Sequence, residues 1–177
     1  DMIEFLGQNS LPHLWSDLAR TILTYADDKE PFLRQAAVYG IGEFAVNTTK
    51  DFASFAPALL EGIDKSLRYN SDGQSQHQWS TARDNSVAAL GKIIKYQAAH
   101  VDLNNICTKW LGYLPIRKDE AEMFEQHELL CDFILNKAEI IFGDNLSNAP
   151  VIIKVLARIY NSKYSDSNIN LKIKQIV

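Results

Sequence analysis

Four residues apart, His127 and Cys131 could offer a metal ion one nitrogen and one sulfur from the same face of a helix. A tetrahedral site needs further ligands, and no second pair follows, since His13, His77 and His100 are scattered over separate stretches. The spacing reads instead as a surface histidine beside a buried cysteine, and no metal ligand is assigned. As a nucleophile, Cys131 would need a cationic neighbour to hold its thiolate, whereas Glu128 and Asp132 surround it. The motifs G-x-S-x-G, the Walker loop and H-E-x-x-H do not occur. No catalytic residue and no cofactor is expected, and the chain reads as non-enzymatic.

One pattern does suggest a ligand. The stretch AAVYGIGEFA (36–45) contains Gly40-x-Gly42-x-x-Ala45, which satisfies a loose dinucleotide-binding fingerprint. That chemistry needs a hydrophobic strand before the glycines and a helix opening at them, so that backbone amides face the pyrophosphate. Here Pro31 suits a first helical turn, and Leu33, Ala36, Ala37, Gly40, Ile41 and Phe44 recur at steps of three and four. The glycines therefore fall in mid-helix, where each costs about 0.5–1 kcal/mol relative to alanine and calls for a compensating close approach. A partner for this stretch lies further on. Aligning Arg34 with Arg83 sets Val38 on Val87, Ile41 on Leu90, Gly42 on Gly91 and Phe44 on Ile93, a spacing of 49 residues.

The elements behind these residues form a repeat. Apolar helices precede each such second helix, and Leu18, Leu59, Trp110 and Val155 fall in register, as do Ile22, Ile63, Leu114 and Ile159, at steps of 41, 51 and 45 residues. Helix pairs of roughly 40–47 residues are the signature of HEAT or armadillo arrays, whose units stack and bury their apolar faces against one another. The expected fold is all-α, an α-α superhelix of about four helix pairs over 11–47, 51–98, 103–137 and 145–177, with 1–10 as the end of a preceding helix and the whole a segment of a longer array. No segment alternates convincingly enough for a strand. Small residues at Ala36, Ala37, Gly40, Ala88, Ala89 and Gly91 would let helices approach closely. Residues 70–80 form one long polar loop, with Trp79 expected to fold back onto the array, and Thr81-x-x-Asp84 suggests a capping box at the start of the next helix.

The repeat alignment also selects a surface. Opposite the apolar stripes, the second helices give the rows Gln35, Asp84, Phe124; then Tyr39, Ala88, Glu128; then Glu43, Lys92, Asp132. In solenoids one ring of helices lines a concave wall, so Tyr39, Glu43, Asp84, Glu128 and Asp132 are the candidate protein contacts. The acidic run at 119–128 has two readings: acids gathered at the positive end of a helix dipole, or a patch for basic partners.

Composition agrees with this. The chain has 177 residues, 46% of them apolar, and a net charge of −4, with a sequence pI near 5.5. Such a balance argues against nucleic acid, whose binding rests on neutralising phosphates, and suits a basic protein partner. No run approaches the roughly 18 apolar residues of a membrane span. Cys107 and Cys131, both in apolar helical patterns, fit a reduced, intracellular protein.

The succession LRQAAVYGIGEFA, TARDNSVAALGKIIKY, WLGYLPIRKDEAE and LCDFI resembles the importin beta superfamily, in particular the C-terminal HEAT region of its importin-five (karyopherin beta-three) branch. The resemblance runs from the first residue to about Ile159 and fades beyond Tyr160. It implies a nuclear transport receptor shuttling between cytoplasm and nucleus. Such a receptor binds cargo with basic or other localisation signals, makes weak contacts with Phe-Gly nucleoporins, and releases cargo to GTP-bound Ran. It implies that Ran would be met mainly by repeats outside this stretch, and it carries no Ran or nucleoporin contact onto a numbered residue. The alternative is a HEAT scaffold for a phosphatase, kinase or cytoskeletal complex, which composition and periodicity do not separate from a carrier.

Overall fold

The computed structural model describes residues 12–48, 52–69 and 76–177. Among them all regular structure is helical: α1 (Pro12–Tyr25), α2 (Pro31–Asn47), α3 (Phe52–Arg68), α4 (Gln76–Tyr96), α5 (Leu103–Tyr113), α6 (Glu120–Asn136), α7 (Ala138–Ile141), α8 (Ala149–Ile159) and α9 (Ser167–Ile176), with 3₁₀ turns at Ala98–His100 and Asp144–Leu146. The fold is all-α and of the HEAT-like solenoid class, as the repeats predict. Two compact units divide the chain, Asp1–Val101 and Asp102–Val177.

In the first unit α2 is the central helix, packed by α1, α3 and α4. From Ala37 to Ala45 it is buried on nearly every side, while Ala36 is exposed. The sequence pattern marks one buried stripe. The structure differs because neighbours press on α2 from three directions and its polar positions are enclosed as well.

The glycines are the reason α4 and α1 come so close. A Cβ at Gly42 would lie 3.0 Å from Lys92 Cδ and 3.5 Å from the Ala89 Cα of α4, and one at Gly40 would lie 3.2 Å from Ile22 Cδ1 of α1. They sit inside a continuous helix, so the nucleotide pattern lacks the loop it requires.

Pro31 opens α2 with its fixed φ, and Glu30 precedes it in an extended conformation with no side-chain cap. The turn before it is held by Arg34, fully buried. Its Nη1 donates to the carbonyls of Asp28 (2.7 Å) and Lys29 (3.0 Å), and its guanidinium stacks 3.8 Å from the Tyr69 ring centroid. Burial lowers the Arg34 pKa, opposed by Tyr69 and the acids of the turn. At the far end, Gln97 Nε2 donates to the carbonyls of Ala45 (2.6 Å) and Thr48 (2.7 Å), satisfying acceptors that the end of α2 leaves open.

Two expectations change at α4. This helix already begins at Gln76, so Thr81 and Asp84 lie well inside it and form no capping box, and 76–80 is helix rather than loop. The apolar pattern alone marks the later start, since 76–80 is polar in sequence. Trp79 does fold back, its Nε1 donating to the Tyr69 carbonyl.

In the second unit three helices open on aspartate caps. Asp102 accepts from Asn105 N–H (3.2 Å), Asp119 from Glu122 N–H (3.2 Å) and Asp166 from Ile169 N–H (2.8 Å). Asp119, Glu120 and Glu122 thus occupy the positive end of α6, which accounts for the front of the acidic run. Gly143, at φ +67°, makes the turn after α7, where a Cβ would meet Ser147 Oγ at 2.7 Å. The core gathers Ile106, Trp110, Leu111, Leu130, Phe133 and Ile159, with Trp110 edge-on to Phe133 at 6.1 Å.

Candidate protein-contact surface

Within the first unit the rows of the second helices close on themselves. Glu43 of α2 and Lys92 of α4 form a buried ion pair at 3.1 Å, each less than a tenth exposed. The same ammonium lies 5.2 Å from the centroid of the half-buried Tyr39 ring. Asp84, 1% exposed, receives Arg83 Nη1 at 3.1 Å. The three candidate contacts of this unit are therefore each engaged by a neighbouring cation, and Glu43 and Asp84 are almost wholly enclosed.

Glu128 and Asp132 in the second unit are more open, with side chains 43% and 45% exposed. Both are held from α9. Lys172 Nζ lies 2.8 Å from Glu128 Oε1 and 2.5 Å from Asp132 Oδ1, and Asn168 Nδ2 donates to Glu128 at 2.6 Å. Burial pushes the Lys172 pKa down, but the hydrogen bonds to Asp132 and Glu128 outweigh it and leave the ammonium raised. Lys172 is the residue that sequence reasoning missed. It lies 40 positions after Asp132, the step that separates Lys92 from Asp132 in the same row, but in the tail where family resemblance fades. The row then reads Glu43, Lys92, Asp132, Lys172: acid and lysine alternate, and each unit pairs its own acid with its own lysine.

His127 is corrected. It is fully buried, not a surface residue. Its Nδ1–H donates to the Tyr164 carbonyl (2.7 Å) and its Nε2 accepts from Ile116 N–H (3.1 Å), so both nitrogens are committed and neither is free for a metal. Among the described residues no group of three metal-ligating side chains occurs. Burial raises both the Cys107 and the Cys131 thiol to about 11, which keeps them protonated and poor nucleophiles at neutral pH.

Burial lowers the His127 pKa to about 4, with the Tyr164 carbonyl bond opposing it. Between this value and the ordinary 6.5 the unfolded chain binds the extra proton. Stability is therefore complete above about pH 6.5 and falls as the pH drops towards 4, by about 3 kcal/mol. Urea titrations across this window should show the slope in the wild type and a flatter one in His127→Gln, whose amide can serve both backbone partners without titrating. Parallel slopes would remove His127 as the cause.

The fold and this self-paired row define a helical-repeat protein of the HEAT-like class. No family model matches the chain. It is similar to the "Probable importin-5 homolog" of Dictyostelium discoideum, 32% identical over 165 residues, covering 88% of this chain and 14% of that protein. Together with the helical architecture this places the chain in the importin beta family, in a HEAT-repeat region. The chain spans about a seventh of the length of that relative.

Proposed function

We propose that the chain is part of a nuclear transport receptor, a non-enzymatic carrier that moves protein cargo between cytoplasm and nucleus. The observation that carries this reading is the 32% identity to an importin-5 homolog sustained over 88% of the chain. Four helix pairs, over 11–47, 51–98, 103–137 and 145–177, would each supply a second helix to cargo recognition. Tyr39 in the first unit, and Glu128 and Asp132 in the second, are partly exposed and would offer contacts to cargo with basic or other localisation signals, while Glu43 and Asp84 would act by holding the helices beside them. Phe-Gly nucleoporins and GTP-bound Ran complete the set of partners, Ran acting mainly through repeats outside this stretch. A change of pitch spread over several such repeats gives the coupling between Ran and cargo its route, since each ligand would favour a different arrangement.

The test uses the full-length receptor, immobilised and loaded with a basic nuclear cargo protein, then washed with Ran bound to GTP or to GDP. Release by the GTP form alone is expected. Cargo retained with both nucleotides, together with no binding of Ran, would reject the carrier in favour of a scaffold. Within a receptor that passes, Glu128→Lys with Asp132→Lys should weaken basic cargo about tenfold or more, as like charge replaces attraction.

A further inference from the structure

The two acids of the second unit, Glu128 and Asp132, are four positions apart on α6, so their carboxylates share one face a single turn apart. Like charges so placed repel, and one ammonium answers both. Lys172 Nζ of α9 lies 2.8 Å from Glu128 Oε1 and 2.5 Å from Asp132 Oδ1. Asn168, one turn earlier on α9, donates from Nδ2 to the same Glu128 oxygen at 2.6 Å. Chemically this is a two-carboxylate seat for a primary ammonium, with an amide beside it.

The seat is filled but not sealed. In the first unit the comparable pair, Glu43 and Lys92, has side chains 9% and 8% exposed and is closed to any partner. Here the acids keep 43% and 45% of their side-chain surface, and Lys172 keeps 21%. Ion pairs this open to water hold weakly, because solvent screens them and two side chains lose freedom in forming them. Nor does Lys172 alone fasten α9 to the unit, since Ile169 and Ile173 bury the apolar face of that helix. A lysine ammonium rides on a flexible four-carbon stem, so it can swing out while its helix stays in place.

We propose that Lys172 is a resident stand-in for a partner's lysine, a latch that keeps the Glu128–Asp132 seat closed until a lysine-rich segment displaces it. The occupant follows from the chemistry of the seat. Two carboxylates against one internal ammonium leave negative charge in excess, so an incoming cation is attracted even while the latch is shut. Displacement then exchanges one ammonium for another at the same oxygens. The latch lowers the apparent affinity of every basic segment by the fraction of time it stands open. Only a segment with further contacts to the receptor makes up that loss, so the latch raises selectivity against stray lysines. Calling the segment cargo rests on the carrier reading above; the latch adds to that reading the residue that governs entry.

The test uses the full-length receptor and a fluorescein-labelled lysine-rich peptide, followed by anisotropy, with a twin peptide whose lysines are acetylated. Lys172→Met removes the ammonium and keeps most of the stem, and should tighten the lysine peptide about fivefold, the factor an exposed ion pair is able to withhold. Lys172→Arg keeps the charge and should bind as the wild type does. Adding Glu128→Gln and Asp132→Asn to Lys172→Met should cancel the gain. The acetylated twin should bind at least about tenfold more weakly and should not respond to Lys172→Met. Unchanged affinity in Lys172→Met would overturn the latch, because the peptide then does not use the seat. Weakened affinity would overturn it as well, making Lys172 a structural tie between α6 and α9. So would a gain that survives loss of both acids, or an equal gain in Lys172→Arg. Release of cargo by GTP-bound Ran is scored separately: if it fails while Lys172→Met still tightens the peptide, the carrier reading falls and the latch stands.

Discussion

Replacing Lys92 with methionine is expected to lower the stability of the first unit by about 3–5 kcal/mol, the cost of leaving a buried carboxylate without its counter-charge. Glu43 is 7% exposed and meets Lys92 Nζ at 3.1 Å across the α2–α4 contact. Methionine keeps most of the stem that lies over Gly42, so packing loss is small and the measurement reports the orphaned charge. The double variant Glu43→Leu/Lys92→Met should regain most of the loss, because exchanging a buried pair for apolar groups of similar volume is often close to neutral. Urea denaturation of the four proteins in this cycle gives the coupling directly. A loss below about 1 kcal/mol for Lys92→Met would mean that water reaches Glu43 and that the pair behaves as a surface bridge. Since the partners are 49 residues apart, the pair joins successive second helices. It thus helps fix the register of α2 against α4, and a loosened contact between them would shift Tyr39, whose ring centroid lies 5.2 Å from the same ammonium.

Much of this fold was legible because apolar periodicity survives in a single sequence. Ile22, Ile63, Leu114 and Ile159, aligned by spacing alone, are all buried, and the mid-helix glycines point to a close helix approach, which the structure places at Gly42 against α4 and Gly40 against α1. What was hidden depends on partners distant in the chain. His127 reads as a surface group by its polarity, yet it is buried because two backbone groups, 11 and 37 residues away, satisfy its nitrogens. Gln97 looks like an ordinary polar residue after a helix, but it caps α2 from 52 and 49 residues away. Polarity predicts exposure only when no such partner exists. Among the candidate contacts, the acids are plain in the sequence but their ion-pair partners are not. Nothing in the spacing said that Glu43 would be sealed by Lys92 or that Lys172 would reach both Glu128 and Asp132. The start of α4 failed for the opposite reason: its first turn is polar, and the tie from Trp79 to the end of α3 is invisible in sequence.

Phe44→Ala should match the Lys92 variant in size by a different mechanism, costing about 3–5 kcal/mol through lost burial and the cavity left behind. Phe44 is fully buried on α2. Its ring meets Trp15 of α1 edge-on at 5.3 Å, Phe55 of α3 edge-on at 5.7 Å and Phe52 of α3, tilted, at 6.4 Å. Three rings from two helices converge on one, and such aromatic pairs each add about 0.5–1.5 kcal/mol beyond the area they bury. Alanine there also preserves the helix, so the loss reports packing and not propensity. Collapse around the void is opposed on the α2 side, because α1 is already against Gly40 and α4 against Gly42, leaving little room for either to close in. Phe55→Ala is the control: that ring is only half-buried and should cost distinctly less. Denaturation monitored by near-ultraviolet dichroism, which senses Trp15 and the phenylalanines together, would show whether the two variants differ in this order. Equal losses would mean that the cluster has no centre and that the aliphatic contacts of Ile41 and Leu59 hold α1, α2 and α3 together instead.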